Sequence, residues 1–184
     1  MSWSVEFPGN DYPVTLASKH PVTPLWPEYL DSDPNRLFII ERSKNANLVV
    51  YYARKSCEDS FDPGSPVHVL WHCWGWTGSP ETSELTFIQR NLAYGYSHQV
   101  LEHSEGFKIS LTALSSKPAV LRMHGSGAEA RPIVEVEING VLCRLIKIYV
   151  FSTERFGLLP VVHYMDIYGL SLEDQHAEVE HYVP

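Results

Sequence analysis

IVEVEINGVLCRLIKIYVF, Ile133 to Phe151, is the stretch that decides the fold. Apolar and polar residues alternate on both sides of Asn139-Gly140, the dipeptide that suits a two-residue type I′ turn, so it predicts an antiparallel hairpin of strands 133–138 and 141–151. The turn fixes the register. Ile138 is predicted opposite Val141, Val136 opposite Cys143 and Val134 opposite Leu145, with Glu135 and Arg144 paired on the other side. Adjacent Leu145 and Ile146 then shift the apolar phase onto Ile148 and Val150, which predicts a bulge or sharp bend in the second strand.

The flanking sequence has the same character. Tyr96–His103, Phe107–Leu114 and Ala119–His124 read as strands before this hairpin and Val161–Tyr168 as one after it, where Asp166 either is buried or faces water. Leu37–Arg42 and Asn47–Arg54 form a first hairpin across Ser43–Ala46, with Asn45 suited to a left-handed turn position. Pro66–Trp76 is predicted as a strand with Val67, Val69, Trp71 and Cys73 on a core face and His68, Leu70, His72, Trp74 and Trp76 on a mixed face, as in a cavity wall. On a strand His68 and His72 stand roughly 13 Å apart, too far for one metal ion, and no metal or cofactor is expected.

One stretch has helical periodicity. ELTFIQRNLAYGY, Glu84 to Tyr96, places Leu85, Ile88 and Leu92 at i, i+3, i+7 for a core face, with Phe87, Arg90 and Tyr94 opposite. The hydroxyls of Ser79 to Ser83 suit its start and Gly95 a left-handed cap at its end, giving a helix over about 82–94. The expectation is therefore a mainly β domain: an antiparallel β-barrel or β-sandwich of about eight or nine strands, closed at one end by this short α-helix.

Composition bounds the rest. The 184 residues suit one domain, read as residues 36–170 between a Pro-rich arm, 1–35, and an acidic tail, 171–184, expected as a short helix or frayed end. The arm holds six of the thirteen prolines, yet Trp3, Phe7, Tyr12, Trp26 and Tyr29 make it too apolar for an ordinary disordered tail. It either wraps its own domain or docks on a protein partner. A net charge of −8 argues against nucleic acid or an anionic membrane. The N-terminus lacks a signal-peptide pattern, no apolar run is long enough for a membrane span, and Cys57, Cys73 and Cys143 are odd in number and widely spaced. The expectation is a cytoplasmic protein with free thiols.

Two phrases, LFIIERSKNANLVVYY from Leu37 and LTFIQRNLAYGY from Leu85, resemble the paired motifs of the DUF4833 family, a domain of unknown function, and PVHVLWH and VVHYMDIYG fit the same order. Arg42, Ser43, Asn45 and Asn47 match the first motif, and Ile88, Arg90, Ala93, Tyr94 and Gly95 the second. Glu41 departs from the pattern by setting a carboxylate before the first Arg. The resemblance covers roughly residues 36–170 and implies a domain boundary and two stretches to watch, but no activity.

Two functions compete. In the first, a non-enzymatic binding domain receives a small anionic or amphipathic ligand at Arg42, Lys44, Arg90, Tyr94, His72 and Trp74, since arginine beside aromatic rings suits carboxylate or phosphate. The alternative for the arginines is purely structural, satisfying carbonyls where strands meet the helix. In the second function, the protein is a component of a cytoplasmic assembly docked through the arm. No nucleophile elbow, paired-acid spacing or metal cluster points to catalysis.

Overall fold

The computed structural model describes residues 33–43, 47–57, 60–74, 80–102, 105–155 and 159–184. It shows the mainly β architecture with one short helix, as a large curled mixed sheet forming a half-barrel. The strands are β1 (Arg36–Arg42), β2 (Leu48–Ala53), β3 (Lys55–Cys57), β4 (Ser60–Phe61), β5 (Val67–Trp74), β6 (Pro80–Glu84), β7 (Tyr96–Val100), β8 (Phe107–Leu111), β9 (Ala119–His124), β10 (Arg131–Ile138), β11 (Val141–Arg155), β12 (Leu159–Ser171) and β13 (Ala177–Tyr182). The main sheet runs β6-β5-β2-β1-β11-β10-β9-β8-β7, with β12 and β13 branching from β11; β3 and β4 make a small separate hairpin. No helix among the described residues is long and apolar enough to cross a membrane.

The Asn139-Gly140 turn has positive φ at both residues, 50° and 83°, as a type I′ turn demands. Ile138 faces Val141, Val136 faces Cys143 and Glu135 faces Arg144, the register the alternation predicts. The bulge is present as well. The β11–β12 ladder slips between Leu145 and Lys147, which lets Leu145 and Ile148 stay in the core while Ile146 is buried outside that cluster. At the same place β11 changes neighbours. Its ladder with antiparallel β10 reaches Arg144, and its ladder with β1 begins at Lys147. The β1–β11 pair is parallel, unlike every other pairing in the sheet and unlike the antiparallel arrangement expected.

The two wings that leave β11 curl toward each other around one apolar core. At the far side they meet through side chains. The Tyr96 hydroxyl of β7 donates to the Val67 carbonyl of β5 at 2.7 Å and accepts its N–H at 3.1 Å. A second apolar cluster, Ile39, Leu48 and Val50 with Tyr52, lies on the other face of β1 and β2.

Two local expectations are corrected. Residues 80–84 are not the start of a helix but strand β6, paired with β5 from Leu70↔Glu84 to Trp74↔Pro80. Thr86 then caps a short helix, α1 (Phe87–Gln89), through a capping box with Gln89, and the chain continues as a π turn over Arg90–Tyr94. The wider turn breaks the i, i+3, i+7 stripe. Leu85 is buried ahead of the helix, whereas Ile88 and Leu92 are each 66% exposed and Phe87 82%. The acidic tail likewise is neither helix nor frayed: β13 pairs with β12 from Met165↔Tyr182 to Leu170↔Ala177. Its Glu180 carboxylate accepts from Lys117 and the Asn139 N–H, and Asp166, half-buried, sits 2.7 Å from His181.

Gly95 ends the helical segment as expected, but it is extended, with φ −72° and ψ 173°, not left-handed. A Cβ there would fall 2.0 Å from the Arg90 carbonyl oxygen, so close backbone approach excludes a side chain. Gly95→Ala is expected to destabilise the fold by about 2–3 kcal/mol, the cost of forcing backbone apart in a packed region. Urea unfolding at constant m-value checks it.

Candidate functional site

Arg42 and Tyr94, one from each motif, meet on the inner face. Arg42 ends β1 with its guanidinium carbon 4.7 Å from the centroid of the Trp71 ring and hydrogen bonds the Tyr94 side chain. Trp71 and Tyr94 lie 5.6 Å apart, and the Tyr51 hydroxyl donates to the Tyr94 carbonyl at 2.8 Å. Burial raises the pKa of both phenols; for Tyr94 the Arg42 charge opposes that rise without cancelling it. The result is a cation held against an indole and a phenol that stays protonated.

Arg90 is elsewhere. Its side chain is exposed and reaches Glu84 at 3.5 Å, whose other oxygen is 2.7 Å from His68. The His68 contact, with the nearby Arg90 and Arg54 charges, keeps the Glu84 carboxyl below the usual carboxylate value. Glu41 pairs with Lys147 at 3.1 Å, so the carboxylate before Arg42 is bound to a lysine on β11. Lys44, with Asn45, lies outside the described residues, as does the side chain of Trp74; the arm residues Trp3, Phe7, Tyr12, Trp26 and Tyr29 lie there too.

His72 is on the opposite face of β5 from Trp71. There Asp33, Asn35, Tyr52, Ala53, Arg54, His68, Leu70, His72 and Thr82 surround a depression of about 320 Å³. Strand alternation builds it: Tyr52 faces His68 and Leu48 faces His72 across β2 and β5, and His72 faces Thr82 across β5 and β6. The Tyr52 hydroxyl and His72 Nε2 are 3.2 Å apart, with their rings stacked at 6.1 Å. Asp33 accepts the Asn35 N–H at 2.8 Å and turns the chain at the rim.

Aromatic and aliphatic surface thus sits beside a guanidinium, a carboxylate, an amide and two imidazoles, a set that suits a small ligand with both apolar and charged parts. The alternation of β5 singles out His72 but not Tyr52, Arg54 and Asn35, which line the depression with it. Tyr52 stands near the end of the apolar strand β2 and Arg54 just beyond it, and only the β2–β5 register brings them beside His72. Among the described residues no group of three His, Cys, Asp or Glu side chains is placed to hold a metal ion.

Burial lowers the His72 pKa below the usual imidazole value. Because the unfolded chain takes up a proton at about pH 6.5 that folded His72 resists, stability is expected to fall as the pH drops from neutrality through about 6.5. His72→Gln should remove that part of the acid slope, as read from urea midpoints across the range. An unchanged slope would show that His72 is not its source.

No curated protein and no solved structure matches the chain. A family model does, over residues 38–181, which run from β1 through β13 and take in both motifs together with the depression's strands. The chain belongs to the DUF4833 family, a domain of unknown function.

Proposed function

We propose that this is a non-enzymatic binding domain that takes a small anionic or amphipathic ligand in the depression beside β2, β5 and β6. The observation that carries this reading is the convergence there of the stacked Tyr52 and His72 rings, Leu70 and the Arg54 cation around one open volume. The rings and Leu70 offer apolar contact to the ligand body, and the guanidinium fork recognises a carboxylate or phosphate in two hydrogen bonds. His72 is held neutral and acts as a hydrogen-bonding group, not as a fixed charge. The free thiols of Cys57, Cys73 and Cys143 support a reducing compartment, which we take to be the cytoplasm.

A second reading, a component of a protein assembly, is favoured by a separate feature. Phe87, Ile88 and Leu92 form a turn of solvent-exposed large apolar residues at 66–82% exposure, which is unusual for surface that stays in water. The aromatic arm remains the other element proposed for such contacts.

Ligand-observed NMR with a panel of small carboxylates, phosphates and uncharged analogues separates the two. Binders bearing an anionic group beside an apolar one are expected, and Arg54→Gln should weaken them about tenfold. Binding that survives both Arg54→Gln and Tyr52→Leu unchanged would remove the depression as the site. A panel without binders would leave the assembly reading in place.

A further inference from the structure

β1 and β2 are apolar on both faces. LFII at Leu37–Ile40 and LVVYYA at Leu48–Ala53 lack the alternation of a strand with one side in water, and such continuous runs belong to strands covered on both sides. Phe38, Ile40, Val49 and Tyr51 fill the core between the wings, and the pleat turns Ile39, Leu48 and Val50 the other way. There they are 1%, 5% and 0% exposed. Beside Ile39 on the same face, the Lys147–Glu41 ion pair is shielded too, with side-chain exposures of 12% and 25%.

Neighbours within a sheet shield a side chain from its flanks but not from above, so burial this complete requires a second layer. Among the described residues no helix or strand supplies it: the helical turn sends Tyr94, and the β3–β4 hairpin Phe61, into the inner core. The burial is that of a single chain, so the layer belongs to the chain itself. Outside the described residues, 1–32 has the length to supply it, whereas the other stretches are two to five residues long and tethered at both ends. The chain also enters the described fold on this face. Asp33 and Asn35 stand on the rim of the depression beside Tyr52, and the Asn35 carbonyl accepts the Ala53 N–H at 2.7 Å. From there Ile39 and Leu48 lie four and five residues along β1 and β2, about 13 and 17 Å away. Leu25, Trp26, Tyr29 and Leu30 precede Asp33 by three to eight residues, a reach of about 10–26 Å.

We propose that residues 25–30, LWPEYL, cross the outer face of β2, β1 and β11 as a strap, with Leu25, Trp26, Tyr29 and Leu30 packed on Ile39, Leu48 and Val50. Prolines 21, 24 and 27 deny this stretch the N–H donors of a ladder strand, so it holds to the face through side chains. Trp and Tyr suit that role, covering much apolar surface with few torsions to fix. The strap meets the depression at Asp33 and Asn35 but does not depend on the ligand reading. Placed there, it is not available to an assembly partner, which leaves Phe87, Ile88 and Leu92 as the surface for that second reading.

The test records NOEs on the full chain with its Ile, Leu and Val methyls labelled. Contacts from Ile39, Leu48 and Val50 to the aromatic protons of Trp26 and Tyr29 are expected, and Trp26→Leu and Tyr29→Leu should each remove its own set. In both variants the methyl resonances of these three residues should shift as the ring current is lost, while those of Ile40 and Val49, on the inner face of the same strands, hold still. A sample mixing methyl-labelled chains with unlabelled ones decides whether the rings come from the same molecule. NOEs that cross between chains would overturn the proposal in favour of a second copy on this face. Outer-face methyls that touch neither ring and keep their shifts in both variants would overturn it as well, since another part of the chain would then be the cover.

Discussion

The ladder along one edge of β11 is shared by two strands, and the slip between Leu145 and Lys147 is what makes the sharing possible. A strand has one hydrogen-bonding edge on each side, so β10 and β1 can both use the same edge only in succession. Successive Leu145 and Ile146 side chains are both buried, one in the core and one outside it, which a regular pleat accommodates only if the apolar phase then shifts. The extra residue supplies that shift and bends the strand. From this point the two wings diverge, one antiparallel through β10 to β7 and one beginning with parallel β1, and their divergence leaves room for a single core between them.

That arrangement leaves the half-barrel to be closed by something other than a ladder. Tyr96 does it at one end by bonding both backbone groups of Val67, and Tyr51 does it at the helical turn by bonding the Tyr94 carbonyl. Both phenols carry their ring into apolar surroundings and their hydroxyl to backbone that would otherwise lack a partner. The π turn belongs to the same closure. It puts the Tyr94 ring against Trp71 while leaving Phe87, Ile88 and Leu92 in water, so the segment's burial is decided by one aromatic residue and not by an amphipathic face.

What was legible in the sequence is what depends on neighbours within a few residues. The Asn139-Gly140 turn, its register and the Leu145–Ile146 phase shift are local, and each is found where the alternation puts it. The short helix is present, but it starts later than residue 82, because residues 80–84 complete the β5 edge as β6 and PETSE has no apolar alternation to announce a strand. The parallel β1–β11 pairing left no local trace, since a parallel ladder can join segments a hundred residues apart. The same limit hid the sites. Arg42 and Tyr94 can be singled out from their motifs, yet Tyr52 and Arg54 join His72 around the depression only after the strands are in register.

The motif residues therefore mark the architecture more directly than the chemistry. Arg42 sits on Trp71 and Tyr94; Ser43 donates its N–H to the Val150 carbonyl, and its hydroxyl accepts the Ser152 N–H; the Gly95 carbonyl accepts the Thr112 N–H. Together they tie the end of β1 to β11 and to the helical turn, the junction on which the half-barrel closes. An arginine so engaged is held against the rings of its own core. Ligand chemistry is thus sought on the outer face of the sheet, at the depression beside Tyr52 and His72, while the paired motifs hold the junction between β1, β11 and the helical turn.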